Sequence, residues 1–89
     1  MYQLSRIAEA ILDYLWNHPN AQDTQAGIAD WWLPEQRIKT RRAQVKEALT
    51  ELVSHSLVVE RKGADSQVRY RINKRRLKEI ELIVKRSGK

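Results

Sequence analysis

Two hydrophobic periods follow one another in the second half of this chain, and together they dictate a helix that hands over to a hairpin. Within residues 39–53, Val45, Ala48, Leu49 and Leu52 recur at the i, i+3, i+4, i+7 spacing of one helical face. Further on, Val68, Tyr70 and Ile72 alternate with Gln67, Arg69 and Arg71, which is the period of a half-buried strand. Residues 57–61 read as the strand before it, and the glycine-containing stretch 62–66 as the turn between them.

Helices precede and follow this unit. Leu4, Ile7, Ala8, Ile11, Leu12 and Leu15 form a helical stripe, with Arg6, Glu9 and Asp13 opposite; Pro19 disfavours helix at His18 and ends it. His18 is explained by that loop position. Asp23 or Thr24 can cap a second helix over 24–33, closed by Pro34, and residues 33–40 form the connection to the next. The rings of Trp31 and Trp32 diverge by about 100° on a helix. One is expected in the core, the other at its edge or against a partner. Thr40 is the expected N-cap of the third helix, which runs to about Ser54. Asn73 is the expected cap of the last helix, over 74–86, with Leu77, Ile80, Ile83 and Val84 as its stripe and Glu81–Lys85 as an i, i+4 pair. That stripe predicts a homodimer interface, because exposed apolar patches mark association; the alternative is that the helix folds back on the first helix.

Charge narrows the function. The net charge of +6 is split: residues 1–36 carry one basic side chain against five acids, and residues 37–89 sixteen against six. Such a field attracts polyanions, of which nucleic acid is the commonest in cells. Lys39, Arg41, Arg42 and Lys46 crowd the start of the third helix, where cations sit poorly against the dipole unless a phosphate lies across it. Lys74-Arg75-Arg76 repeats the pattern at the last helix and is offered to DNA flanks or to the acidic first helix. An enzyme is not expected, since the chain has no cysteine, and its two histidines and scattered carboxylates form no nucleophile–base pair or metal spacing. No apolar run is long enough for a membrane span or resembles a signal peptide, so a cytoplasmic protein is expected. Nothing implies a cofactor, a metal or a small-molecule ligand.

The ordered set Gly27-Ile28-Ala29, Val45-x3-Leu49-x2-Leu52-x4-Leu57-Val58-Val59-Glu60-Arg61 and Tyr70-Arg71-Ile72-Asn73 resembles the winged helix-turn-helix family of small prokaryotic regulators. The resemblance covers about residues 4–73 and implies a single mainly α domain over 1–89, in the order helix, helix, helix, hairpin, helix. It implies a double-stranded DNA-binding transcriptional regulator, with the third helix in the major groove and the hairpin, or wing, on the backbone or minor groove. Carried over by residue, Arg42, Ala43 and Gln44 would face base edges, and Lys39, Thr40, Arg41 and Lys46 phosphates. Glu47 is an awkward neighbour there, and Arg61, Lys62 and Arg69 would be the wing's contacts. The last helix stands where many members keep a dimerisation helix. Ser56 replaces the glycine usual before the wing, which predicts a turn of different shape. The span from Ile28 to Val45 is also longer than usual. The alternative from another class is a winged-helix module whose basic face docks an acidic protein.

Overall fold

The computed structural model describes residues 4–35 and 39–87. The expected connection residues Gln36, Arg37 and Ile38 lie outside the described residues. Helix α1, Arg6–Asn17, starts where Ser5, in extended backbone, accepts the Ala8 amide on its hydroxyl at 3.1 Å. It buries Ala8, Ile11, Leu12 and Leu15. The chain then reverses through a turn in which the Ala21 amide donates to the His18 carbonyl, and the His18 ring lies 4.5 Å from that of Tyr14.

A short strand, β1 (Gln22–Thr24), follows; its three polar residues carry no period that a sequence reading could detect. It forms because the second hairpin strand has a free edge, and it supplies the antiparallel partner Gln22↔Arg71, Asp23↔Tyr70, Thr24↔Arg69. Thr24 also caps the second helix, its Oγ1 accepting from the Gly27 amide at 3.1 Å. A Cβ at Gly27 would run into the Asp23 carboxylate, which would have to turn aside.

That second helix, α2, covers residues 25–35 and differs from the expected 24–33 in two ways. It begins with an α turn, Gln25–Gly27, widens to a π segment, Ile28–Trp32, and continues through a second α turn, Leu33–Glu35. Pro34 therefore lies inside the last turn instead of closing the helix. A proline ring crowds the carbonyl four residues back and cannot donate to it. The π widening, in which the Leu33 amide bonds the Ile28 carbonyl, shifts the pairing just before the proline. Trp32 is buried and stacks on Tyr14, with ring centroids 4.5 Å apart and 14° between planes; Trp31 is 71% exposed. The expected division between core and surface holds for this pair.

Helix α3, Arg42–Ser54, buries the expected stripe Val45, Ala48, Leu49 and Leu52. It ends in a Schellman motif: the Leu57 amide donates to the Leu52 carbonyl at 3.0 Å and the Ser56 amide to the Val53 carbonyl at 2.9 Å. Ser56 takes the left-handed conformation, φ 61°, that a glycine would occupy. The turn thus keeps the usual shape, contrary to expectation. Asn73 helps to hold it, donating from Nδ2 to the Ser56 carbonyl at 2.7 Å and from its amide to the Leu57 carbonyl at 3.0 Å.

The hairpin is β2 (Val58–Lys62) and β3 (Val68–Ile72), paired from Val58↔Ile72 to Lys62↔Val68, and the antiparallel sheet has the order β1-β3-β2. Val58 and Ile72 are buried beneath the helices and Tyr70 is half-buried, but Val68 is exposed. The alternation is real and the core runs out before the hairpin tip. A 3-10 turn, Lys74–Arg76, is capped by Asn73 Oδ1 on the Arg75 amide and leads into α4, Leu77–Ser87, so the last α-helix starts later than expected.

Against α1, α4 buries Ile80 completely and Val84 to 7% exposure, with Ile83 packed at the edge of the core. This corrects the dimer-interface assignment for Ile80 and Val84, which are core residues of the single chain. Of the stripe that suggests a homodimer, the chain buries Ile80 and Val84 and covers Ile83 in part. Leu77, at 37% exposure, and Leu82, at 71%, remain outside. The result is a small α/β domain with helices on one face of a three-stranded sheet. No described helix is long and apolar enough to cross a membrane.

Candidate nucleic-acid interface

The basic side chains of α3 gather where the helix begins. Arg41 is the N-cap residue, extended at φ −99°, ψ 153°, and its side chain makes no capping hydrogen bond. Arginine has no acceptor to offer the first-turn amides. Thr40, the expected cap, lies one residue too early and is half-buried. The displacement has a visible cause: the Arg41 amide donates to Gln44 Oε1 at 2.9 Å, so Gln44 supplies the return half of a capping box and fixes the start one residue later.

The first turn holds no acid, and Lys39, Arg41, Arg42 and Lys46 are all exposed. Arg42 Nη2 lies 3.6 Å from Asp30 Oδ2, tying α2 to the start of α3. With side chains 67% and 53% exposed, this pair is weak, worth at most about 1 kcal/mol, and water screens it. The guanidinium can leave Asp30 for a stronger anion. Glu47 is exposed one residue after Lys46 and subtracts from the local potential.

The structure thus brings together Lys39, Arg41, Arg42 and Lys46. The Gln44 carboxamide, expected to read a base, is here folded back onto the helix start. To fork onto an adenine it would have to abandon the Arg41 amide.

The hairpin cations divide. Directly paired residues of a ladder share a face, so Lys62 lies with Val68, Tyr70 and Ile72 on the helix side, and Arg61 lies with Arg69 and Arg71 on the other. Arg69 is engaged by Asp65, Nη2 to Oδ2 at 2.9 Å and Nη1 to Oδ1 at 3.2 Å. That double hydrogen bond raises the Arg69 pKa and, with a further bond from the Gln67 amide, lowers the Asp65 carboxyl to about 2. Arg69, expected as a wing contact, is thus already engaged by the turn carboxylate. Gly63 leaves room for the pair, since a Cβ there would come within 2.9 Å of both Arg69 Nη1 and Asp65 Oδ1.

Two functional candidates escaped the sequence reading: Asp30, which orients Arg42, and Arg71, which joins the expected Arg75 in lining a cleft between the 19–22 turn and the residues just before α4. Asp30 carried no signal. Arg71 carried one, the two-residue period that places it beside Arg69 and away from the core. Comparison with protein-family models, curated proteins and solved structures finds no match to this chain.

Proposed function

We propose that this domain binds double-stranded DNA as a winged helix, with the start of α3 against the duplex and the β2–β3 hairpin as its wing. The role that fits is that of a small cytoplasmic transcriptional regulator without catalytic activity or cofactor. The observation that carries the reading is the start of α3, where a helix terminus without a side-chain cap or acid exposes amides and four cations on one end. Left in water, that arrangement sets cations against the dipole; with a phosphate across it, amides, dipole and side chains all act in the same direction. Lys62, on the helix side of the sheet, is the wing cation that reaches the same duplex. The element order, helix, strand, helix, helix, hairpin, supports the winged-helix assignment.

Fluorescence anisotropy with random duplex DNA at two salt concentrations tests this. Binding should weaken steeply with salt, and Lys62→Ala should reduce the log–log slope by about one unit. A slope near zero, or no binding at low salt, would sink the proposal. The second reading, docking of an acidic protein, is favoured by Trp31: an exposed tryptophan next in sequence to Asp30, the partner of Arg42, has the composition of a protein interface. Trp31→Ala separates the two, since it should leave DNA affinity unchanged under the first reading.

A further inference from the structure

The sheet face turned away from the helices carries a second basic surface. Its residues are Gln22 and Thr24 of β1, Val59 and Arg61 of β2, and Arg69 and Arg71 of β3, and none of them is buried. Arg61 stands directly opposite Arg69, although like charges across a ladder repel. Asp65 neutralises Arg69 and relieves that contact, while Arg61 and Arg71 take part in no ion pair among the described residues. At the base of the sheet Arg71 joins Lys74 and Arg75 in an open cleft of about 480 Å³. Lys74 Nζ is held there by Asn20 Oδ1 at 2.9 Å, which fixes one wall. A second cleft beside the hairpin turn shares Gln22 and Arg71 with the first, and neither has an acidic lining residue among the described residues.

We infer that this open face is a second phosphodiester-binding surface, occupied by a segment of duplex DNA other than the one at α3. The inference takes over from the proposed function the identity of the polyanion. Charge complementarity selects the class of ligand, since Arg61, Arg71, Lys74 and Arg75, with no counter-charge among the described residues, line a path along this face. Arg61 and Arg71 are diagonal neighbours across the β2–β3 ladder, about 7–8 Å apart, a step that suits successive phosphates of one strand. Among the described residues the lining contains no aromatic ring on which an unpaired base could stack, which disfavours a single-stranded occupant. Because α3 packs on the opposite face of the sheet, one straight duplex cannot touch both surfaces. The protein would therefore bridge two duplex segments.

Sedimentation with a labelled random duplex little longer than one helical turn tests it, counting duplexes per chain so that self-association is not mistaken for a second site. Two per chain are expected. R71A/R75A should remove one event and leave the other at unchanged affinity, and R71K/R75K should restore the lost event because phosphates need only charge. R41A/K46A should remove the complementary event. One duplex per chain that depends on Arg41 and Lys46 and ignores Arg71 and Arg75 would overturn the inference and leave the proposed function standing. One duplex that depends only on Arg71 and Arg75 would support the second surface and overturn the role of α3. Tighter binding of a single strand at the Arg71 surface, or its equal occupation by polyglutamate, would overturn the duplex assignment. Absence of any binding would overturn both.

Discussion

Helices α1 and α3 begin in opposite ways although both feed the same core. At α1, Ser5 accepts the Ala8 amide, Glu9 stands in the first turn, and the Ser5 amide is itself fixed by Glu51 of α3 at 3.0 Å. At α3, the cap residue is an arginine, no acid occupies the first turn, and cations gather against the dipole. A hydroxyl at the N-cap is the arrangement that maximises stability. The chain is capable of it a few turns away, so its absence at α3 is a departure with a cost. That cost is what an anion-binding end would carry.

The largest effects should show that the two helices do not differ in their cores. Leu12→Ala in α1 and Leu49→Ala in α3 each remove a side chain that is at most 1% exposed, and each should cost about 2–5 kcal/mol of unfolding free energy. Urea denaturation measures both. If Leu49→Ala cost much less than Leu12→Ala, the cores would differ too, and the weak start of α3 would reflect a loosely attached helix instead of a binding end.

Exchanging the starts comes next in size. Ser5→Ala should destabilise by about 1 kcal/mol and leave DNA affinity unchanged. Arg41→Ser should act in reverse, stabilising by about 0.5–1 kcal/mol through a new cap while weakening binding to random duplex. Thermal melts and anisotropy on the same two proteins provide the comparison. Loss of stability in Arg41→Ser would show that the arginine already serves the fold.

Much of the fold was legible in the sequence because its long elements have strong periods. The stripe of α3 and the hairpin followed from spacing alone, as did the division of Trp31 and Trp32 between core and surface, though not which ring turns inward. Two of the misses share a cause, a partner distant in sequence. Strand β1 exists because β3 has an edge, and Ile80 and Val84 are core because α1 lies beneath them. The site was legible as charge but not as geometry. A period places Arg61 and Lys62 on opposite faces, yet only the Gln44–Arg41 and Asp65–Arg69 contacts show which side chains are already occupied.

The C-terminal end of α3 gives a smaller test. Ser56 holds the left-handed conformation with a side chain, where a glycine carries no steric penalty. Ser56→Gly should stabilise by about 0.5–1 kcal/mol, because the relief exceeds the added freedom of the unfolded chain. DNA affinity should not change. A destabilised variant would mean that the serine is favoured by contacts beyond its backbone shape.

The smallest effect concerns the hairpin tip, where a cation is neutralised, in contrast to those at α3. Asp65 has its pKa lowered from 3.8 to about 2 by the Arg69 guanidinium first and the Gln67 amide second. A carboxyl whose folded pKa lies below its unfolded one stabilises the fold above the unfolded value, and that contribution disappears as pH falls through the folded one. The turn should therefore loosen between about pH 4 and pH 2, with faster amide exchange at Gly63 and Ser66, whose amides bond across it. Both groups are exposed, so global stability should hardly respond. Asp65→Asn should produce the loosened turn at neutral pH and free Arg69 from its counter-charge. If Arg69 then joins Arg61 and Arg71 on the open sheet face, the salt slope for duplex binding there should steepen by up to about one unit. An unchanged slope would mean that the tip lies beyond the path of the DNA, and that the second surface begins nearer Arg71.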